Sequence, residues 1–391
     1  MDISIYLESI ETPEFDLDGV IHKRRIGDLL RINTKENGIP DLSNIDMAII
    51  GVKESRLSLN NFGSSTAPDE VRRYLYSLYA VNQKMNVADL GNIKAGHDIE
   101  DTYFAVKTVA STLLKENIIP IIIGGSQDLT YANYLAYENM GQIINITSID
   151  SAFDLGNAEE SFNSKSYLSK IVLHQPNFLF NYTNIGYQTY FVDKEAVDLM
   201  KNLFFDVYRL GQMRNNMEEV EPLVRNADLL SFDIGAIRQS EAPGNSNASP
   251  NGFNGEEACR IARYAGLSDK LTSFGIYEIN PEKDANGQTA HLAAQILWYF
   301  MEGFYQRKGD FPHKQKNEYY KYIVNAEDHE HEIVFYKSMK SGRWWMQVPL
   351  NDSVQGKYER HFMVPCSIQD YETANNNDIP DRWWQVYQKL M

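Results

Sequence analysis

Cysteine is scarce in this chain: Cys259 and Cys366 are the only two in 391 residues. They stand far apart, in no CxxC or other ligand spacing, so neither a disulfide framework nor a cysteine zinc site is signalled. Basic residues are in deficit too, 37 Lys and Arg against 53 Asp and Glu, for a formal net charge of -16 and a pI near 5.0. Nucleic-acid binding needs clustered cations, and this balance argues against it. No apolar run reaches the ~18 residues of a membrane span. The first residues, MDISIYLESIETPEF, carry acids where a secretory signal has a basic start. These absences predict a cytoplasmic protein with reduced thiols and no membrane span.

What is present is material for a core. The hydrophobic share is 43% and the aromatic share 12%, enough for one large α/β domain with additions. Apolar runs predict eight strands, at 47–52, 87–91, 118–123, 143–149, 184–187, 204–210, 228–234 and 272–279. Helical segments separate them, at 98–115, 129–138, 213–225, 255–265 and 289–305. Ala67-Pro68-Asp69-Glu70 opens another helix, with proline and acids in its first turn and Val71, Leu75 and Leu78 as its stripe. Strands alternating with helices predict a mainly parallel sheet of about eight strands between two helical layers. Residues 1–45 read as an N-terminal extension, 46–308 as the α/β domain and 309–391 as a C-terminal β-rich, aromatic addition. The addition holds four of the five tryptophans, with strands expected at 319–324, 332–336, 344–348 and 358–364. A linker at Asn375-Asn376-Asn377 precedes a terminal Trp383-Trp384-Gln385-Val386-Tyr387 segment.

In such sheets, ligands sit beyond the carboxyl ends of the strands. Three strand ends stand out there: Gly124-Gly125-Ser126-Gln127-Asp128, Asp150-Ser151-Ala152-Phe153-Asp154 and Ser231-Phe232-Asp233-Ile234-Gly235. Strand residues two apart share a face, so positions 150, 152 and 154 are expected to point into one cleft, giving acid, methyl, acid. Gly124-Gly125-Ser126 lacks the lysine and spacing of a phosphate loop and reads as a tight turn delivering Gln127. Ser126, Ser151 and Ser231 have no His–Asp support for a nucleophile. Asp328-His329-Glu330-His331-Glu332 holds metal-capable side chains but reads as a solvated strand face.

The order of these stretches, with Tyr277-Glu278-Ile279-Asn280-Pro281, Asp284 and Thr289-Ala290, resembles the ureohydrolase superfamily of arginase, agmatinase and formimidoylglutamase, nearest the formimidoylglutamase branch. Ala67-Pro68-Asp69-Glu70-Val71-Arg72 and Asp89-Leu90-Gly91-Asn92 support the likeness, which runs from about Met47 to Phe304. It implies a three-layer arginase-like fold and a trimer or hexamer. It also implies two Mn²⁺ ions sharing a hydroxide that attacks the carbon of a linear amidine. Carried over by position, the first metal's histidine falls on Gln127 and its carboxylates on Asp150, Asp154 and Asp233. The second metal's histidine falls on Ala152 and its own carboxylate on Gly235. Glu278 matches the acid facing the substrate's cationic end. The proton-shuttling histidine of arginases has no counterpart between Asp154 and His174.

Ala152 and Gly235 have no atom to give a metal. The expectation is therefore a degenerated site with no metal or a single divalent cation, Mn²⁺ or Mg²⁺, rather than a manganese pair. The protein would bind a small amidine or amino acid, or act as a scaffold, with a protein partner at the C-terminal region. The competing expectation is an active C–N hydrolase using one metal or an unusual pair. Three facing acids would need a counter-charge, and Arg238, at the position of a family aspartate, is the candidate.

Overall fold

The computed structural model describes residues 2–11, 24–156, 161–312, 318–325, 332–350 and 358–390. Its main sheet begins with two short strands, β1 (Leu7–Glu8) and β2 (Arg31–Ile32). The eight expected strands follow: β3 (Met47–Val52), β4 (Val87–Ile93), β5 (Ile119–Gly124), β6 (Ile144–Ile149), β7 (Leu179–Tyr187), β8 (Asp206–Arg209), β9 (Leu229–Asp233) and β10 (Ser273–Tyr277). Their order is β1-β4-β3-β5-β10-β9-β6-β7-β8, with β2 also paired to β4. Every pairing is parallel except that of β1 with β4.

The near-continuous apolar strands are explained by burial on both faces. Alternate residues enter opposite layers. Ile49, Ile121 and Ile123 pack with Val71, Leu75, Ile261 and Leu297 in one core. Ile50 and Ile122 pack with Val106, Leu113 and Tyr134 in the other. The helices Ala67–Ser77, Gly255–Gly266 and Gln288–Phe304 cover the first face; Ile99–Lys115 and Leu129–Glu138 cover the second. Among the described residues, no helix is long and apolar enough to cross a membrane.

Two supporting stretches meet inside this frame. Arg72, 1% exposed, donates from Nε and Nη2 to Asp89 at 2.8 and 2.9 Å, and from Nη1 to Asn92 at 2.7 Å. Tyr76 adds a hydroxyl donor to Asp89 at 2.8 Å. A forked guanidinium satisfied on this many sides pins the helix Ala67–Ser77 to β4.

Several expectations need correction. The helix expected at 213–225 is broken into Leu210–Asn215, a 3-10 turn at Met217–Glu219 and Val220–Arg225. Asn216, at φ -144° and ψ 74°, interrupts it, and Pro222 is accommodated in the first turn of the restarted segment, where its missing N–H costs nothing. Helices Tyr167–Leu173 and Lys194–Asn202 are additions to the expected set.

The C-terminal addition is an antiparallel sheet, β11 (Tyr319–Asn325), β12 (Glu332–Ser338), β13 (Trp344–Gln347) and β14 (Met363–Cys366), joined by two helices, Ile368–Asn375 and Asp381–Leu390. The last strand therefore lies later than expected. The Asn-rich stretch ends a helix, and the aromatic tail is a helix with Trp383, Val386 and Leu390 buried. Of the acid-histidine run, residues 328–331 lie outside the described residues. The addition docks on the amino edge of the main sheet. Arg225 Nη2 donates to the Trp344 and Cys366 carbonyls at 3.1 and 3.2 Å, and Arg360 Nη2 reaches Asp228 Oδ1, just before β9, at 2.9 Å. It is thus far from the carboxyl ends.

Candidate functional site

Strands β5, β10, β9 and β6 are consecutive in the sheet, so the residues ending them fall in one row along the carboxyl edge: Gln127, Glu278, Asp233 and Asp150. Local geometry then shapes the row. Gly125 is required, because a Cβ there would lie 1.8 Å from the Glu54 carbonyl oxygen. Asp150 follows the last residue of β6, and the segment 150–154 is loop rather than strand. The two aspartates therefore do not share a cleft by β alternation, as the sequence suggested; the turn does it. Asp154 sits at φ +52° and Glu278 at φ +64°, a left-handed conformation that costs a non-glycine residue about 1 kcal/mol.

Asp150, Asp154 and Asp233 are all buried, and each brings a carboxylate oxygen within 4.8 Å of the others. Asp150 Oδ1 accepts the Ala152 N–H at 3.1 Å, and Asp233 Oδ1 accepts the Gly235 N–H at 2.7 Å. Asp150 Oδ2, Asp154 Oδ1 and Gln127 Oε1 are buried and have no hydrogen-bond partner among the described residues. The Gln127 side chain instead donates from Nε2 to Ser231 Oγ at 2.8 Å.

The counter-charge is Lys165. Its Nζ lies 3.1 Å from Asp233 Oδ2 and 3.4 Å from Asp154 Oδ1. Arg238 is not the counter-charge: its Nε donates to Glu241 Oε1 at 2.5 Å, and the side chain is one-third exposed. A 3-10 turn at Ile234–Ala236 and a bridge between Ile237 and Phe253 redirect the chain after β9, so position 238 follows the surface. Lys165 carries no motif. Charge counting could have found it, since it is the only basic residue between Asp154 and Lys170.

Burial, and then the Asp154 charge, pushes the Asp150 carboxyl well above the usual range, against the pull of Lys165. Burial likewise raises Asp154, with Lys165 opposing. For Lys165 burial alone would lower the ammonium, but Asp154, Asp233 and Asp150 outweigh it and hold it well above its ordinary value. Glu278 is pushed up to about 7 by burial and by Asp233. Its carboxylate is fully employed: Oε1 accepts the Gln127 N–H at 2.9 Å, and Oε2 accepts Asn61 Nδ2 at 2.8 Å and Ser58 Oγ at 3.2 Å. That set ties the 55–66 loop to the sheet edge, with both oxygens of Glu278 engaged by the protein.

Three acids and an amide oxygen are a donor set for a hard cation. The methyl of Ala152 and the bare Gly235 add nothing, and an ammonium lies among the carboxylates. These residues do not fit a manganese pair.

An arginase-like α/β sheet with acids gathered at its carboxyl edge defines the class, that of the ureohydrolases. The chain belongs to the arginase family, whose model matches residues 45–302. Its relatives include the formimidoylglutamases of Streptococcus gordonii, 24% identical over 69% of this chain and 88% of that protein, and Staphylococcus aureus, 26% identical over 63% and 81%. Among solved structures, formiminoglutamase of Trypanosoma cruzi with Mn²⁺ superimposes with a TM-score of 0.65 at 18% identity, covering 73% of this chain and 99% of that one. Formimidoylglutamase of Bacillus subtilis gives 0.65 at 21%, covering 74% and 96%. The chain stands in the formimidoylglutamase-like branch.

Proposed function

We propose that this chain is an arginase-family protein that no longer performs two-metal hydrolysis and acts as a binding or scaffold protein, with the acid cleft accepting a small cationic amidine or amino acid. One observation carries the reading: positions 152 and 235, where the family supplies a second metal's own ligands, offer no donor atom. Position 235 also has little room, since a Cβ there would lie 3.0 Å from Asp233 Oδ1 and 3.3 Å from Asn245 Nδ2. A bridging hydroxide needs two metals to lower its pKa and hold it. In the cleft itself three aspartates face one lysine, an acid excess that favours a ligand carrying positive charge. By likeness to the family, the working form is a cytoplasmic homo-oligomer, a trimer or hexamer, with the C-terminal module available to a protein partner.

The second reading, a hydrolase of linear amidines using one divalent cation, is favoured by the persistence of the three aspartates within 4.8 Å of one another. Protein incubated with Mn²⁺ and assayed on formimidoylglutamate, agmatine and arginine separates the two. The expected result is no turnover above the metal-only blank. Turnover that rises with Mn²⁺ and disappears in Asp233→Asn overturns the proposal.

A further inference from the structure

We infer that the Lys165 ammonium is a built-in replacement for the divalent cation of this cleft, held between Asp154 and Asp233 so that the metal is excluded. The inference rests on the non-hydrolytic reading above but addresses a different question, which cation the three aspartates hold.

A long surface lysine that meets an acid by chance is common, and such pairs contribute little. Lys165 differs in how its backbone is fixed. Its own N–H donates to Asn163 Oδ1 at 2.8 Å, and the Asn163 N–H donates to Ser166 Oγ at 2.9 Å, closing the turn around it. The turn is then tied to both of its neighbours. Ser164 N–H donates to the Leu57 carbonyl at 2.9 Å, and Leu59 N–H returns to Ser164 Oγ at 3.2 Å. The helix that follows donates its Leu168 N–H to the carbonyl of Asp154 itself at 3.2 Å, and Ser169 Oγ bonds the Leu155 carbonyl at 2.6 Å. Gly156, at φ +63°, allows this approach, because a Cβ there would stand 2.4 Å from the Ser166 Cβ. One turn further on, the Lys170 ammonium stands 4.0 Å from the Phe162 ring centroid and 4.8 Å from that of Tyr131, which fastens the helix to the domain. The segment 162–170 is therefore built to present one ammonium to the acids.

Three consequences follow from geometry. The ammonium takes up oxygens of two of the three carboxylates that a divalent cation would need. It supplies hydrogen-bond donors, which a carboxylate accepts, but no lone pair for a metal. Being covalently attached, it competes at an effective concentration that free metal in solution does not match.

The test is Mn²⁺ binding by wild type, Lys165→Met and the exposed-lysine control Lys53→Met, read by calorimetry and by the metal-dependent rise in Tm. Lys165→Met is expected to bind one Mn²⁺ per chain roughly 100-fold more tightly than wild type, the order for removing a competing unit charge from a partly buried site. Its Tm rises with Mn²⁺ while those of wild type and the control stay flat. Adding Asp154→Asn to Lys165→Met is expected to abolish the gain. Equal Mn²⁺ affinity in wild type and Lys165→Met overturns the inference, as does a folded Lys165→Met that binds none. Should Lys165→Met fail to fold, the electron paramagnetic resonance spectrum of Mn²⁺ added to wild type decides: a free-ion spectrum supports the inference and a bound one ends it. Wild type that binds Mn²⁺ without turnover defeats this inference alone, and Mn²⁺-dependent turnover defeats the proposed function.

Discussion

The two edges of the main sheet each bury a cluster of charge, and they are composed in opposite ways. At the carboxyl edge three aspartates share one ammonium, which reaches only Asp154 and Asp233, and Asp150 Oδ2 is left without a hydrogen-bond partner among the described residues. At the amino edge one aspartate is surrounded by donors. Asp228, fully buried, accepts the Asn145 N–H at 2.9 Å on Oδ2 and Arg360 Nη2 at 2.9 Å on Oδ1, with Lys270 Nζ 3.7 Å away. One cluster is under-neutralised and fits a cleft that takes a cation. The other is saturated and fits a joint that holds the C-terminal module in place. A buried acid thus means different things according to what its oxygens lack.

The largest expected effect tests the saturated side. Asp228→Ala leaves Lys270 and Arg360 facing each other without their carboxylate and should cost ~3–5 kcal/mol in urea unfolding. A loss of under ~1 kcal/mol, the level of an exposed pair, would mean the joint is held by apolar packing alone.

A pH effect comes next, through His361. Its Nε2 lies 3.2 Å from the Ile143 carbonyl, and its ring stacks on Phe180 with centroids 4.3 Å apart. Burial holds it well below its ordinary 6.5, reinforced by Lys270, Arg360 and Lys389 around it. Below pH 6.5 the unfolded chain takes up a proton that the folded chain refuses, so stability is lost as pH falls, by about 1.4 kcal/mol per unit. His361→Gln keeps a donor toward Ile143 and should flatten the slope by that amount relative to wild type. Parallel slopes would place His361 in water rather than in the joint.

The smallest effect carries the most contrast, because its sign is reversed. Asp150 has its folded pKa raised, so its carboxyl favours the folded state at low pH, and that advantage is lost as pH rises through the raised value. Asp150→Asn should therefore stabilise by ~1 kcal/mol at neutral pH and do nothing below pH 3.8. Destabilisation at neutral pH would show that the acid excess of the cleft is already neutralised.

The sheet was legible because burial on both faces leaves a strong trace. Runs such as Met47–Val52 and Ile119–Gly124 are apolar nearly throughout, and all eight expected strands are present. β1 and β2, two residues each, are too short to leave a period. Lys194–Asn202 fully buries only Met200, with Ala196 and Val197 partly buried beside it, a stripe confined to two turns. In the site, Asp150, Asp233 and Gln127 could be read because they end or closely follow strong strands, and Asp154, which lies in a loop, only through the family likeness. Lys165 left only a charge-count signal and no motif, since it reaches the cleft through a turn whose position depends on Leu57, Asp154 and Leu155. Arg238 misleads for the converse reason: adjacency to β9 in sequence says nothing of direction once the chain turns at residues 234–236.

The docking of the C-terminal module also decides what light the protein emits. Of its five tryptophans, Trp344, Trp345, Trp383 and Trp384 belong to the module, and the fifth, Trp298, donates from Nε1 to the Tyr79 carbonyl at 2.7 Å on a helix of the main domain. Intrinsic fluorescence excited at the indole band is therefore a gauge of the amino edge. It should follow release of the module closely and be nearly blind to events among Asp150, Asp154, Asp233 and Lys165, so a cleft can fill with ligand while the indole emission stays constant.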